Sequence, residues 1–348
     1  MELDSVPHAR RHTELPRDNP AGSRHGRLLR RGTAGLRAQE GHAVRDHRDH
    51  PDTHPLARSK RIRHRGALKM NTPNECPAMR LDTLLLCTDG SEFSEGAVRE
   101  AVRIAKRCNS TLYVVSVVEV NPEFEAHAPA LIEKAEKETR EHLEGVKARA
   151  EGEGLRCETI VHEGEEPYRY IVEEAERINA GTIVMGRRGR TGISRLMMGS
   201  VTARVIGHAG CNVLVVPRAA VFECRKILIA TDGSEYSEKA VGNAIDIAAA
   251  YGSEVVIVSV AAGAPEVKDA EALVKSAREA AEKRGIERVS AVTPAGAAYE
   301  KIIEVAESEN ADLIVLGSHG RTGLRRLLMG SVAERVIGHA SCAVLVVK

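Results

Sequence analysis

The sequence predicts two tandem α/β domains, each a doubly wound sheet of five parallel strands, on three observations. The chain repeats itself: residues 186–216 and 317–347 are identical at 22 of 31 positions, and the run Thr88-Asp89-Gly90-Ser91 to Glu95 returns as Thr231-Asp232-Gly233-Ser234 to Glu238 with one Phe-to-Tyr change. A long self-similar segment met twice marks a duplicated domain. The offset is 143 residues for the early motif and 131 for the late one, so the second copy lacks 12 residues in between. Short β-rich apolar runs also alternate with stretches whose apolar residues fall at helical spacing, and that order implies parallel pairing through right-handed crossovers. Finally, the strand runs are apolar at consecutive positions, so helices must cover both faces of each sheet.

In the first copy the expected strands are Thr83–Cys87, Thr111–Val118, Arg156–Val161, Thr182–Met185 and Val213–Val216. Helices are expected over Ser94–Arg107, where Ala97, Ala101, Ile104 and Ala105 share a face, over about 126–151, over Pro167–Asn179 with Ile171, Ala175 and Ile178, and over Ser200–His208. The second copy repeats the strands near 226–231, 254–260, 287–292, 312–316 and 343–347. These limits give an extension over 1–80, one domain over 81–218 and another over 223–348, in keeping with about 150 residues per domain. In open sheets of this kind ligands bind beyond the carboxyl ends of the strands, where strand order reverses. Asp89, Val117 and Gly186 are expected at such strand ends.

The extension differs in composition. It holds 15 arginines and 2 lysines against 9 acidic residues, and 8 of the 14 histidines, with no aromatic residue. Such a stretch buries too little apolar surface to offset the entropy of ordering and is expected to be disordered. It reads either as a basic arm, as a His-rich tract, or as a segment ahead of the working start at Met70 or Met79, the reading preferred here. It carries no apolar run suited to a membrane span or secretory signal. The seven cysteines form no Cys-x-x-Cys pair and several sit in strand patterns, which suits small buried thiols in a cytoplasmic protein.

The motif that carries chemistry is Gly186-Arg187-Arg188-Gly189, then nine residues, then Gly199-Ser200, repeated as Gly317-Ser318-His319-Gly320 and Gly330-Ser331. A glycine turn after an apolar strand, followed by Gly-Ser at a helix start, offers backbone N–H groups and the positive end of a helix dipole to an anion. Asp89 and Asp232 follow the first strand of each copy; each suits either a ribose hydroxyl or phosphate-bound cation, or an Asx turn opening the next helix. The sequence lacks Gly-x-x-x-x-Gly-Lys-[Ser/Thr], Gly-x-Gly-x-x-Gly and Gly-x-Ser-x-Gly, which removes the P-loop lysine, the dinucleotide fingerprint and the nucleophile elbow. His208 and His339 sit at matching points suited to helix C-terminal capping, and no catalytic residue is assigned.

Both copies resemble universal stress protein domains of the ATP-binding type, whose signature Gly-x2-Gly-x9-Gly-[Ser/Thr] is complete twice, along with Thr-Asp-Gly-Ser and the closing His-Ala-x-Cys-x-Val-Leu-Val-Val. The resemblance implies an adenine-nucleotide alpha-hydrolase-like sheet of order 3-2-1-4-5 with ATP in each domain, accompanied by Mg2+ or Mn2+. By position it places Thr88, Asp89, Val117, Gly186, Gly189, Arg190, Gly199, Ser200 and Val201 at the first site. At the second it places Thr231, Asp232, Val260, Gly317, Gly320, Arg321, Gly330, Ser331 and Val332. The aspartates would meet ribose or a phosphate-bound metal, the backbones of Val117 and Val260 the adenine, and the glycines, serines, Val201 and Val332 the phosphates. The family often has Pro before this Thr-Asp, where Cys87 and Ala230 stand.

The function implied is a non-enzymatic cytoplasmic stress-response regulator that binds adenine nucleotide. A slow ATPase or autokinase, and a nucleotide-independent scaffold, are the alternatives. The resemblance further implies an internal pseudo-dimer through the two last strands, with a homodimer and an unidentified regulatory partner as further associations, and neither membrane nor nucleic acid as a partner. Arg187 and Arg188 face Ser318 and His319 in the repeat, so the first site is expected to carry up to two extra positive charges.

Overall fold

The computed structural model describes residues 81–120, 127–190, 198–321 and 329–348. The readings made for residues 1–80, including the start at Met70 or Met79, lie outside them. The elements of the first half are β1 (Thr83–Cys87), α1 (Glu95–Cys108), β2 (Thr111–Glu119), α2 (Pro129–Gly152), β3 (Cys157–Gly164), α3 (Pro167–Arg177), β4 (Thr182–Gly186), α4 (Ser200–His208) and β5 (Asn212–Val216). The second half has β6 (Lys226–Ala230), α5 (Glu235–Tyr251), β7 (Glu254–Val258), α6 (Val267–Lys283), β8 (Val289–Val292), α7 (Ala298–Ser308), β9 (Leu313–Gly317), α8 (Ser331–His339) and β10 (Ala343–Val347). The expected elements all form, with their ends shifted. β2 continues to Glu119, so Val117 lies inside a strand rather than at its end, whereas Val260 falls two residues past β7. The helix expected to reach Asn179 ends at Arg177, and Asn179 takes a left-handed φ of 51°.

All ten strands join one sheet, in the order β3-β2-β1-β4-β5-β10-β9-β6-β7-β8. Each half has the order 3-2-1-4-5 with parallel pairs throughout. The halves meet where Val344, Leu345 and Val346 run antiparallel to Val215, Leu214 and Val213. The last strands therefore pair within one chain, the association that the family resemblance implied.

Strand periodicity sorts the core into two layers. From β1, Leu84 and Leu86 pack with α1 and α2, while Leu85 and Cys87 pack with α3 and α4. The same rule splits the seam: Leu214 and Leu345 share the first layer, and Val213, Val215, Val344 and Val346 the second. Both layers run through both halves, so apolar burial, the dominant favourable contribution to folding, is continuous across the repeat.

A buried carboxylate holds the connection between halves. Glu100, fully buried on α1, accepts from Arg99 Nε (2.8 Å), Arg103 Nη1 (3.1 Å) and the backbone N–H of Phe222 (3.2 Å). Its place three residues after Ala97, on the apolar face, is the sequence signal for this role. The free thiols of Cys87, Cys157, Cys224 and Cys342 are buried as expected, and Cys211 partly so, whereas Cys108 is disulfide-bonded.

Candidate functional site

In each half the strand order reverses between the first and fourth strands, and a cleft opens beyond their carboxyl ends. Thr88 extends the ladder past β1 by donating its N–H to Val115 O (3.1 Å), and Thr231 does so to Val258 O (3.0 Å). The chain then turns through Gly90 and Gly233, whose φ of 74° and 77° lie in the left-handed region that glycine tolerates best.

Asp89 organises this turn. Its Oδ1 accepts from Ser91 N–H (3.0 Å) and the Ser91 hydroxyl (2.7 Å), an Asx turn, while Oδ2 accepts from Arg190 N–H (2.7 Å). Asp232 does the same with Ser234 N–H (3.0 Å), the Ser234 hydroxyl (2.6 Å) and Arg321 N–H (2.9 Å). Each carboxylate thus clamps the glycine loop to the first turn. Burial works to raise the pKa of Asp232, but hydrogen bonds from Ser234, Arg321 and Ser237 hold it below the usual carboxylate range.

The three glycines of each motif serve three different purposes. A Cβ on Gly186 would lie 2.8 Å from Phe93 O, and one on Gly317 2.7 Å from the backbone of Tyr236, so these positions let the loop pack against a helix start. A Cβ on Gly189 or Gly320 would strike the aspartate at 2.8 or 2.6 Å, so the clamp itself requires glycine. Gly199 and Gly330 are extended, and a Cβ there meets nothing closer than 3.4 Å. It would instead stand 3.6 Å from the N–H nitrogen of Gly189 or Gly320, in the space an anion needs.

Those last glycines are the N-caps of α4 and α8, and neither helix has a side-chain cap. The first-turn N–H groups have no intrahelical acceptor and face the cleft with the positive helix end behind them. α5, in contrast, is capped by Ser234, which accepts from Ser237 N–H. Thr202 ties α4 to the loop by donating to Gly186 O (3.0 Å).

The nine residues expected of each site line a single cavity in each half, about 410 Å³ in the first and 290 Å³ in the second. Val117 and Val260 are among the residues that line these cavities. Arg188 lines the first cavity, but Arg187 does not; it reaches across the seam to Gly338 and Ala340. Of the up to two extra charges expected at the first site, the cavity lining keeps one, because Arg187 goes to the last-turn carbonyls of α8.

Two features escaped sequence reasoning. Ser94 donates to Ser91 O, so Thr88 donates its single proton to Ser94 Oγ (2.9 Å) and accepts from His142 Nε2–H (2.9 Å). Leu273 fills the corresponding place beside Gly233 in the second half. In the second cavity Glu266 accepts from Ala262 N–H (3.1 Å) and lies 3.8 Å from Arg321. The repeat of Pro122-Glu123 as Pro265-Glu266 signalled that glutamate, whereas nothing in spacing signals His142, which comes from the unequal middle segment. His208 and His339 close α4 and α8, and His339 donates from Nδ1 to Arg335 O (2.8 Å).

Comparison with known proteins places this geometry. The model of the universal stress protein family matches residues 81–217 and again 223–348. A universal stress protein of Methanocaldococcus jannaschii is 40% identical over 139 residues, covering 39% of this chain and 81% of its own. One from Mycolicibacterium smegmatis is 28% identical over 298 residues, 76% of this chain and 96% of its own. The crystal structure of a universal stress protein from Archaeoglobus fulgidus superposes with a TM-score of 0.64 at 24% identity, covering 77% of this chain and 98% of that one, which shows the fold. Among the described residues no helix is long and apolar enough to cross a membrane.

Proposed function

The chain belongs to the universal stress protein family, and from that premise we propose that it is a stress-response regulator holding one adenine nucleotide in each half. The observation that carries this reading is the same construction made twice: an aspartate-clamped glycine loop facing an uncapped helix start whose N-cap glycine keeps the approach open. Phosphate oxygens would take the N–H groups of Gly189, Ser200 and Val201, and of Gly320, Ser331 and Val332 in the second half. The base would lie against Val117 or Val260, which line the same cavity as the helix start.

A carboxylate offers about four acceptor positions; three on Asp89 are taken, and on Asp232 Ser237 joins the same three donors. What is left suits at most one further donor, a ribose hydroxyl or a water carried by a cation, rather than direct coordination by several ligands. Among the described residues no cluster of three metal-ligating side chains exists. Mg2+ or Mn2+ would thus be carried on the phosphates, neutralising their charge, with Asp89 and Asp232 meeting its hydration shell. Arg188 and Arg190 add positive charge to the first cavity, and Arg321 to the second.

The regulatory reading is tested by mass spectrometry of nucleotide released from the purified chain. About two equivalents of unhydrolysed ATP per chain are expected. Recovery of ADP alone would favour the ATPase reading, and a chain free of nucleotide that takes up none on titration would leave a scaffold.

A further inference from the structure

Arg187 belongs by sequence to the glycine loop of the first cleft, yet its side chain serves the other half. From Nη1 it donates to the carbonyls of Gly338 (3.1 Å) and Ala340 (2.8 Å), the last turn and C-cap of α8. Helix ends of this polarity carry unsatisfied carbonyls and the negative end of the dipole, so a cation there is favoured twice over. The opposite end of the same helix, at Gly330 and Ser331, lines the second cavity. One side chain therefore joins the loop of the first cleft to the helix that would hold phosphate in the second.

The connection is made from the first loop and not matched by the second. Ser318 occupies the matching place in the second loop; it is fully buried, and its hydroxyl bonds Nδ1 of the adjacent His319 (3.2 Å). The matching end of α4 is held by Lys348 Nζ on the Ile206 carbonyl, and Lys348 follows β10, outside either glycine loop. The loop that bears Arg187 also has little slack. Gly186 has no room for a Cβ against Phe93 O, Gly189 none against Asp89, and Arg187 O accepts from Gly199 N–H (2.9 Å). A ligand that shifts this loop carries the Arg187 backbone with it.

We propose that Arg187 is a positioning residue of the second site, through which the state of the first site sets the affinity of the second. The inference rests on reading both clefts as nucleotide sites. Binding linkage is reciprocal, so a ligand in the second site acts on the first by the same factor. Substitution by serine, the residue that the second loop carries, removes the connection without placing a bulky group in the loop.

The test is calorimetric titration of the full chain with Mg2+–ATP. Gly199→Val leaves the second site alone and Gly330→Val the first, and each background is compared with and without Arg187→Ser. Loss of the cation at the end of α8 should weaken the second site about fivefold, in the range of a charge at a helix terminus, and leave the first within about twofold. Arg187→Lys, which keeps the cation, should restore part of the loss. In the unsubstituted chain the second site should differ in affinity from the same site measured in the Gly199→Val background. Equal weakening at both sites, weakening of the first alone, or no change at either overturns the assignment. A flat titration of the unsubstituted chain is a separate result, which removes the nucleotide reading itself.

Discussion

Single residues decide whether each cleft admits an anion. Gly199 and Gly330 have backbone angles open to any residue and ordinary clearance for a Cβ, so Gly199→Val and Gly330→Val should fold normally while their methyl groups fill the approach to the loop N–H groups. Each single variant is expected to drop the titrated stoichiometry from about two to about one, as for one anion site at each helix start; an unchanged stoichiometry would contradict the placement of the phosphates. His142 gives the first half a pH-responsive group at a place where the second half has Leu273. It faces Glu95, Asp89 and Arg190, and burial lowers its pKa below the ordinary 6.5. The unfolded chain therefore binds this proton more readily than the folded one, and stability falls as pH drops below about 6.5 toward the lower folded value. Denaturant midpoints at pH 7.5 and pH 5 should differ less in His142→Leu than in the unsubstituted chain, and an equal difference would show that the imidazole does not contribute.

At the scale of elements, α1 is both the cover of one sheet face and the anchor of the interdomain connection. Its apolar spacing was legible because Ala97, Ala101, Ile104 and Ala105 recur at helical period. Glu100 is fully buried among them and supplies acceptors to two guanidinium groups and the Phe222 N–H. Glu100→Gln keeps the shape but removes the charge and makes one of the two acceptors a donor facing donors. It is expected to cost about 1–3 kcal/mol, in line with leaving buried polar groups unsatisfied. Urea unfolding would show this as a lower midpoint at unchanged slope, and hydrogen exchange should rise first at Phe222; a neutral outcome would mean that water replaces the carboxylate.

At the scale of the whole molecule, the pairing of β5 with β10 turns two five-stranded sheets into one and covers two edges that would otherwise be exposed. Leu345 is fully buried opposite Leu214. Leu345→Lys places a charge where no acceptor waits, and burying an unpaired charge costs several kcal/mol. The halves are then expected to separate and to associate through their free edges. Light scattering after size exclusion would report higher-order species, and the two halves expressed separately should bind each other when mixed. Failure of the separate halves to associate at high concentration would mean that the seam depends on the covalent connection alone.

The sequence by itself determined the duplication and the alternation of strands and helices, because these are written in local patterns: runs of β-rich residues, helical spacing and glycines repeated at one interval. The strand order and the eighteen cavity residues came from the family resemblance that the repeated glycine motif carries. Tertiary structure decided what depends on where side chains travel. The two aspartates could be turn formers or ligand contacts on sequence grounds; the fold brings the N–H groups of Arg190 and Arg321 within 2.7 and 2.9 Å and makes them clamps. Arg187 and Arg188 are neighbours in one loop, yet one lines the first cavity while the other crosses to the second half. His142 meets Thr88 across 54 residues. A long side chain goes to the nearest unsatisfied acceptor, and which acceptor is nearest is settled only when elements far apart in sequence pack together.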